Sequence, residues 1–379
     1  MTALTALSED ELIFQREIET FARQRIAPLV MAMDAEELFD RDLLAEFFSI
    51  GLMGIEIPAK YGGAEGSFFM AILAVEALSK IDPSAGVIVD VQNTLVNNVL
   101  KHWGTDAQQQ RYYPMLAKDT VGCYCLTEES SGSDAFALQC KATAIGDGYL
   151  LNGKKLFITN ANEANIFIVF ANTDFSQGYR GITSFIVERS NDGLRIGKKE
   201  SKLGIRSSST CEVILEDVKV PATNVVGQVG KGYKIAINTL NEGRIGIAAQ
   251  MLGLAAGALA GAMAYSDERQ QFGKTISSFQ AVQFKIAELA TAIEAARLMT
   301  YNAARLRDQD LPFTKEAAMA KLFASQVAEK VASQALELYG GYGFTKEFPA
   351  EKYYRDAKIG KIYEGTSNMQ LAAIYKLLK

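Results

Sequence analysis

The residue whose surroundings most suggest chemistry is Glu364, in the run Ile362-Tyr363-Glu364-Gly365-Thr366. Apolar neighbours that bury a carboxylate strip its water and raise its pKa toward the range of a general base. The same position also reads as a glutamate of a helix first turn, before a short helix from about Asn368, satisfied by the helix dipole. Gly227-Gln228-Val229-Gly230-Lys231-Gly232 lacks the Lys-Ser/Thr step of a phosphate loop and reads as a turn into a helix. Gly340-Gly341 with Gly343 follows a helix rather than a strand, so it signals a helix stop and not a dinucleotide fingerprint. The single histidine, His102, has no identifiable nucleophile partner, and a catalytic triad is not expected. Cys123, Cys125, Cys140 and Cys211 lie in or near strand-like segments without further ligands at metal spacing. They are expected to be reduced and buried, and alternation points Cys123 and Cys125 to one side of a strand.

Three stretches differ in period. To about residue 120 the pattern is helical. Ser8 with Glu11 makes a capping box, and Phe14, Ile18 and Phe21 follow at helical spacing until Pro28. Further helices are predicted at Leu43 to Phe48 and Phe68 to Ser79, with breaks at Pro58, Gly62-Gly63 and Asp82-Pro83. From 121 to 232 the pattern is β. Asp147-Gly148 and Asn152-Gly153 read as hairpin turns between strands at 140–145, 149–151 and 154–158. More strands are predicted at 166–171, 184–188 and 212–215. Without intervening helices, an antiparallel barrel or sandwich is expected. From 233 onward, Ala/Leu/Ile-rich segments at 237–265, 280–307 and 314–339 predict bundled helices. The expected fold is therefore α+β. It has an N-terminal helical domain (1–120), a middle antiparallel β-barrel domain (121–232) and a C-terminal four-helix-bundle domain (233–379).

The chain has 379 residues, 49% of them hydrophobic, enough for two or three packed domains. A net charge of −5 without a basic stripe argues against nucleic acid or an anionic membrane as partner. No apolar run is expected to reach the ~20 residues of a membrane span. The start, Met1 to Leu7, has no basic or Arg-rich leader, so no signal or transit peptide is expected.

Several motifs in order resemble those of the acyl-CoA dehydrogenase family, over about residues 8 to 378. Leu126-Thr127-Glu128 with Ser131-Gly132-Ser133-Asp134 is similar to its first flavin-binding segment, and Phe157-Ile158-Thr159-Asn160 to its second. Arg269-Gln270-Gln271-Phe272-Gly273 with Gln280 is similar to the third. Gly340-Gly341-Tyr342-Gly343, Arg355-Asp356-Ala357 and Tyr363-Glu364-Gly365-Thr366 complete the series. Within the family, Asn241 to Gln250 and Gly51 to Glu56 resemble short/branched-chain (2-methylacyl) members most, with butyryl-type members close behind.

The resemblance implies an FAD enzyme that dehydrogenates an acyl-CoA to the 2,3-enoyl-CoA, with Glu364 removing the α-proton while hydride leaves the β-carbon. It implies FAD contacts from Tyr124, Leu126, Thr127, Gly132, Ser133, Phe157, Ile158, Thr159, Thr366 and Asn368. Arg269, Phe272, Gln280, Glu337, Gly340 and Gly341 would hold FAD across a subunit boundary, typically in a homotetramer. Ser133, Tyr179, Tyr233, Asn241, Gly243, Arg244 and Tyr363 would contact the acyl-CoA. It also implies electron-transfer flavoprotein as partner and a place in fatty-acid or branched-chain amino-acid catabolism. The compartment would be the cytoplasm of a bacterium, or the mitochondrial matrix for a processed eukaryotic chain.

Three departures are visible. Glu129-Ser130-Ser131 stands where the family usually has Pro-Gly-Ala or Ala-Gly-Ala, so a modified flavin loop is expected. Phe157 replaces a common Trp. Gly243 occupies the position where some members carry their base, leaving Glu242 as the only fallback. The segment Ser84 to Leu95 holds no Lys or Arg, which argues against a dicarboxylic acyl chain.

Overall fold

The computed structural model describes residues 3–379. Seven helices come first: α1 (Glu9–Phe21), α2 (Val30–Glu36), α3 (Arg41–Ser49), α4 (Phe68–Ser79), α5 (Pro83–Asp90), α6 (Asn98–Trp103) and α7 (Asp106–Lys118). Their starts follow local chemistry. Ser8 and Glu11 form the expected capping box on α1, and Thr105 with Gln108 forms a second on α7. Asp82-Pro83 does more than break a helix. Asp82 caps α5 and Pro83 takes its first turn, where a missing N–H costs nothing. Helix α4 is buried on all sides, as its unbroken apolar composition requires.

The strands are β1 (Gly122–Cys125), β2 (Lys141–Ile145), β3 (Gly148–Thr159), β4 (Ile166–Asn172), β5 (Ile182–Glu188), β6 (Leu194–Lys199), β7 (Thr210–Pro221) and β8 (Val225–Val226). They form one sheet of order β6-β7-β3-β2-β4-β5-β8, with β1 added on β4. Most pairings are antiparallel, as expected. Two differ: β1 runs parallel to β4, and β2 touches β4 in parallel at Lys141 and Asn172. The end strands β6 and β8 do not pair, so the sheet is open in its hydrogen bonding. Asn152-Gly153 is not a hairpin turn. It is a bulge inside the continuous strand β3, where the register with β7 slips between Leu151 and Gly153. A Cβ at Gly153 would lie 2.8 Å from the Cys140 Cα, so glycine there permits a close backbone approach rather than a turn. Cys123 and Cys125 do face one side, with sulfurs 3.6 Å apart, and all four cysteines are buried free thiols.

The last stretch holds α8 (Gly232–Glu268), a short hairpin β9 (Gln270–Gln271) and β10 (Lys274–Thr275), and then α9 (Gln280–Asp308), α10 (Thr314–Leu338), α11 (Ala350–Ala357) and α12 (Ser367–Leu378). Helix α8 corrects one expectation. It contains an 18-residue window of mean hydropathy 1.7, apolar enough by length and composition to cross a membrane. That window is 83% buried within the fold, because α8 is the axis on which the other helices pack. Helices α4, α5 and the π-turn Val91–Asn97 reach it from the first stretch, and α9, α10 and α11 from the last. Alanines and glycines along α8 permit that close approach.

Candidate active site

Glu364 lies between a 3-10 turn (Lys358–Lys361) and the N-cap of α12, Thr366. It therefore stands outside the first helical turn, and the helix-dipole reading fails. Its backbone is left-handed (φ 49°), as is that of Gly365 (φ 85°). A glutamate in that region is strained and persists only where neighbours hold it. Here Gln370 donates from Nε2 to the carbonyls of Glu364 (3.0 Å) and Gly365 (2.8 Å), and Lys321 Nζ donates to the Gly365 carbonyl at 2.6 Å. Neither residue was marked by the sequence: Gln370 reaches back from the first turn of α12, and Lys321 comes from α10, which only folding brings to the turn.

The turn aims the Glu364 carboxylate at α8. A Cβ on Gly243 would meet Glu364 Oε2 at 3.0 Å and Leu95 Cδ2 at 2.9 Å, so the missing side chain makes room for the acid. Oε2 is sealed from solvent without a hydrogen-bond partner. Burial raises Glu364 to about 7, against the opposing charges of Lys321 and Arg244. Burial in turn pulls Lys321 down to about 8 and lowers Arg244. Arg244 donates to Asn241 Oδ1 at 2.8 Å, while its Nε is buried without a partner. The Tyr363 hydroxyl hydrogen-bonds Gln250, whose Nε2 donates to the Pro83 carbonyl at 2.8 Å. Tyr124, on β1, has a buried unpaired hydroxyl pushed well up by burial and by the Glu364 charge. Asp90, at the end of α5, is a buried acid acted on by the same charge; it went unnoticed in sequence.

Glu242, the fallback base, is committed elsewhere. Its carboxylate accepts from Asn98 (2.6 Å), pairs with Arg307 (3.0 Å) and lies 3.1 Å from His102 Nε2. Burial raises it, but His102 and Arg307 outweigh that and leave it lowered. Such a group is a structural anion rather than a base. His102 is thereby an anchor of α6 on α8.

The first expected flavin segment adjoins this centre through Tyr124, on which the Glu364 charge acts. Leu126 and Thr127 follow β1. The backbone of Thr127 accepts from Leu156 N–H at 2.9 Å, which joins the first segment to the second. Beneath them Lys155, fully buried, pairs with Glu128 at 2.6 Å and donates to the Leu126 carbonyl at 3.1 Å. Glu128 also accepts the backbone N–H groups of Gln139 and Cys140. Gly132 and Ser133 stand exposed on the loop, as do Glu129 and Ser130, whereas Ser131 is buried and donates to the Ala135 carbonyl. The departure thus keeps its added carboxylate in solvent. In the second segment Ile158 is buried and Thr159 half-buried, while Phe157 is 62% exposed on left-handed backbone (φ 57°). Tyr179 and Tyr233 meet edge to face at 4.9 Å, and Phe136, absent from the sequence reading, joins them at 6.4 and 6.5 Å. Asn368 is exposed beside Thr366.

Arg269, Glu337, Gly340 and Gly341 do come together, but in a separate cleft of about 500 Å³ with Tyr265, Gln271 and Tyr342. Phe272, 93% exposed, lies at the adjacent hairpin tip, and exposed Gln280 opens α9. From Arg244 to Arg269 along α8 is roughly 37 Å at 1.5 Å per residue. Within one chain this cleft is therefore remote from Glu364.

A strained, desolvated glutamate facing a helix notch, with two cations near enough to favour its ionised form, is equipped to take a proton from carbon. It is the candidate catalytic group of a helix–sheet–helix chain. The chain belongs to the acyl-CoA dehydrogenase family. The family's N-terminal, middle and C-terminal domain models match residues 8–120, 123–218 and 230–379. It is 56% identical over 98% of its length to a probable short/branched chain specific acyl-CoA dehydrogenase of Dictyostelium discoideum, covering 91% of that protein. Butyryl-CoA dehydrogenase of Megasphaera elsdenii is 43% identical with a TM-score of 0.96, covering 98% of this chain and 99% of that one. A chain from work on the electron transferring flavoprotein of Acidaminococcus fermentans and flavin-based electron bifurcation is 45% identical with a TM-score of 0.97, covering 99% of both.

Proposed function

We propose that the protein is an FAD-dependent dehydrogenase of short or 2-methyl-branched acyl-CoA thioesters, with Glu364 as the base that removes the α-proton. The observation that carries this reading is the sealed, unpartnered Oε2 of Glu364 at the Gly243 notch. The residues around the expected cofactor site fit a flat, hydrogen-bonding ring system. Phe157 offers an exposed aromatic face, and the Tyr124 hydroxyl is a buried donor without a partner. Tyr124, Leu126, Thr127, Gly132, Ser133, Phe157, Ile158, Thr159, Thr366 and Asn368 would hold that part of the cofactor. When bound, FAD supplies the acceptor for the hydride that leaves the β-carbon.

The protein's own part is to position and to move a proton. An α-proton is too weakly acidic for a carboxylate in water, so the thioester oxygen must be hydrogen-bonded as enolate charge develops. The backbone N–H of Glu364 is the donor we assign to it. Desolvation makes Glu364 basic enough, and Lys321 with Arg244 keep it ionisable near neutral pH. The left-handed turn, held by Gln370 and Lys321, fixes its direction. Tyr179, Tyr233, Asn241 and Arg244 are assigned to the acyl-CoA, with Ser133, Gly243 and Tyr363 nearer the acyl end.

The remote cleft supports an oligomer. Arg269, Phe272, Gln280, Glu337, Gly340 and Gly341 are assigned to the distal part of a second subunit's FAD, because a dinucleotide reaches less far than the α8 segment between the two sites. The family resemblance adds a homotetramer, domains at 1–120, 121–232 and 233–379, and electron-transfer flavoprotein as acceptor to this proposal. The compartment is assigned as mitochondrial matrix or bacterial cytoplasm according to source. The alternative of straight-chain butyryl specificity is favoured by the fold match to the M. elsdenii enzyme.

Glu364→Gln tests the base. The variant is expected to retain FAD and bind acyl-CoA yet fail to bleach the flavin on anaerobic mixing; normal bleaching would overturn the assignment. The rates of bleaching with 2-methylbutyryl-, isobutyryl-, butyryl- and hexanoyl-CoA then decide the acyl chain.

A further inference from the structure

Helix α8 carries a second glycine notch. Gly246 follows Gly243 by three residues, so the two lie on one face about 5–6 Å apart. A Cβ at Gly246 would fall 1.8 Å from Asp90 Oδ1 and 3.0 Å from Oδ2, as one at Gly243 would fall 3.0 Å from Glu364 Oε2. Two carboxyl groups thus fill neighbouring notches of the same helix, one contributed by α5 and one by the C-terminal turn. Asp90 is 1% exposed. The π-turn that follows it brings Thr94 back to donate to its Oδ1 at 2.9 Å and its carbonyl at 3.0 Å. The assignment of Glu364 as base does not use this second acid.

We propose that Asp90 and Glu364 form an electrostatically coupled carboxyl pair that carries a single proton, with Asp90 the positioning partner that holds that proton and keeps the pair's negative charge on Glu364. This rests on the reading of Glu364 as the base. The two ends of the pair are unlike. Lys321 and Arg244 act on Glu364. Facing Asp90 are Glu364 and Tyr363 from the C-terminal turn and Thr94 from its own segment, with no cation among the groups that act on it. Burial and the Glu364 charge hold Asp90 well above the usual carboxylate range, and the Thr94 bond offsets only part of this. Two buried carboxylates in adjacent notches of one helix cannot easily both ionise, and only Glu364 has cations beside it, so the proton stays on Asp90 and the charge on Glu364. When Glu364 accepts the substrate's α-proton the pair goes from one proton to two, and no anion remains beside the enolate. As pH rises further Asp90 loses its proton, and a second negative charge then stands beside the base.

Infrared spectroscopy of the substrate-free holoenzyme tests the pair without any turnover. A protonated buried carboxyl has a distinct C=O stretch. Wild type is expected to keep such absorption above about pH 7, where exposed carboxyls and Glu364 are ionised, and Asp90→Asn to lose intensity from it. An unchanged band in Asp90→Asn, or none in wild type, would overturn the proposal. The pH profile of anaerobic flavin bleaching gives the second reading. Wild type is expected to show two ionisations, that of Glu364 near neutrality and that of Asp90 at higher pH. Asp90→Asn keeps the first and loses the second. Thr94→Val, which removes the bond that favours ionised Asp90, moves the second to higher pH. If Asp90→Asn retains both, the proposal fails. If bleaching is absent even in wild type, the fault lies with the acyl-CoA reading, and the infrared band still decides the pair.

Discussion

Removing the charge of Glu364 should stabilise the protein while abolishing its chemistry. Its carboxyl is raised from 4.5 to about 7 by burial, so the folded state binds a proton more tightly than the unfolded chain does. Between those values the folded state holds more protons, and stability falls as pH rises. Above about 7 the whole penalty is present, about 3 kcal/mol at 1.36 kcal/mol per pH unit. Below the unfolded value it is absent. Glu364→Gln keeps the volume and has no ionised form, so it should exceed wild type by up to about 3 kcal/mol at pH 8 and match it near pH 4. The assay is urea denaturation of the holoenzyme and variant at several pH values, read from the midpoint at constant slope. Equal stability at pH 8, or a gain that does not vary with pH, would refute the view that this acid is held against its own desolvation. The same preparation should show no flavin bleaching with acyl-CoA, which joins the gain in stability to the loss of function.

Gly243→Ala should press a methyl onto Leu95 and the Glu364 carboxylate, which are 2.9 and 3.0 Å from its Cβ position. A displaced base is expected to slow flavin bleaching by about tenfold or more, with FAD content unchanged; an unaltered rate would show that the notch is not needed. Lys155→Met should leave Glu128 buried without its cation and cost about 3–5 kcal/mol, together with weaker FAD retention on dilution. Glu242→Gln should lose about 1–3 kcal/mol of stability yet still reduce flavin, because the group anchors His102 and Arg307; a bleaching defect as deep as that of Glu364→Gln would make it the base. Tyr179→Ala is expected to raise KM for acyl-CoA with kcat nearly unchanged, as loss of uniform binding predicts.

The order of helices, strands and helices was legible in the chain because period and capping are local properties. Ser8 with Glu11 and the Ala-rich runs of α8, α9 and α10 needed no tertiary partner to be read. The ordered motifs likewise singled out Glu364, because glycine stands at Gly243, the other position where some members carry their base. What the sequence could not decide was whether that glutamate is sealed or satisfied. Its desolvation depends on α8, and its direction on Gln370, which reaches back from α12, and on Lys321, which α10 brings from far away in the chain. Asn152-Gly153 shows the same limit: its dipeptide favours a turn, but the approach of Cys140 makes it a bulge. Asp90 was one acid among 44 until Gly246 opened the notch that receives it. Residue types and short-range spacing determined the elements and the candidate base. Burial and long-range contact, which exist only once the chain has packed, determined which acids are charged and which are free to act.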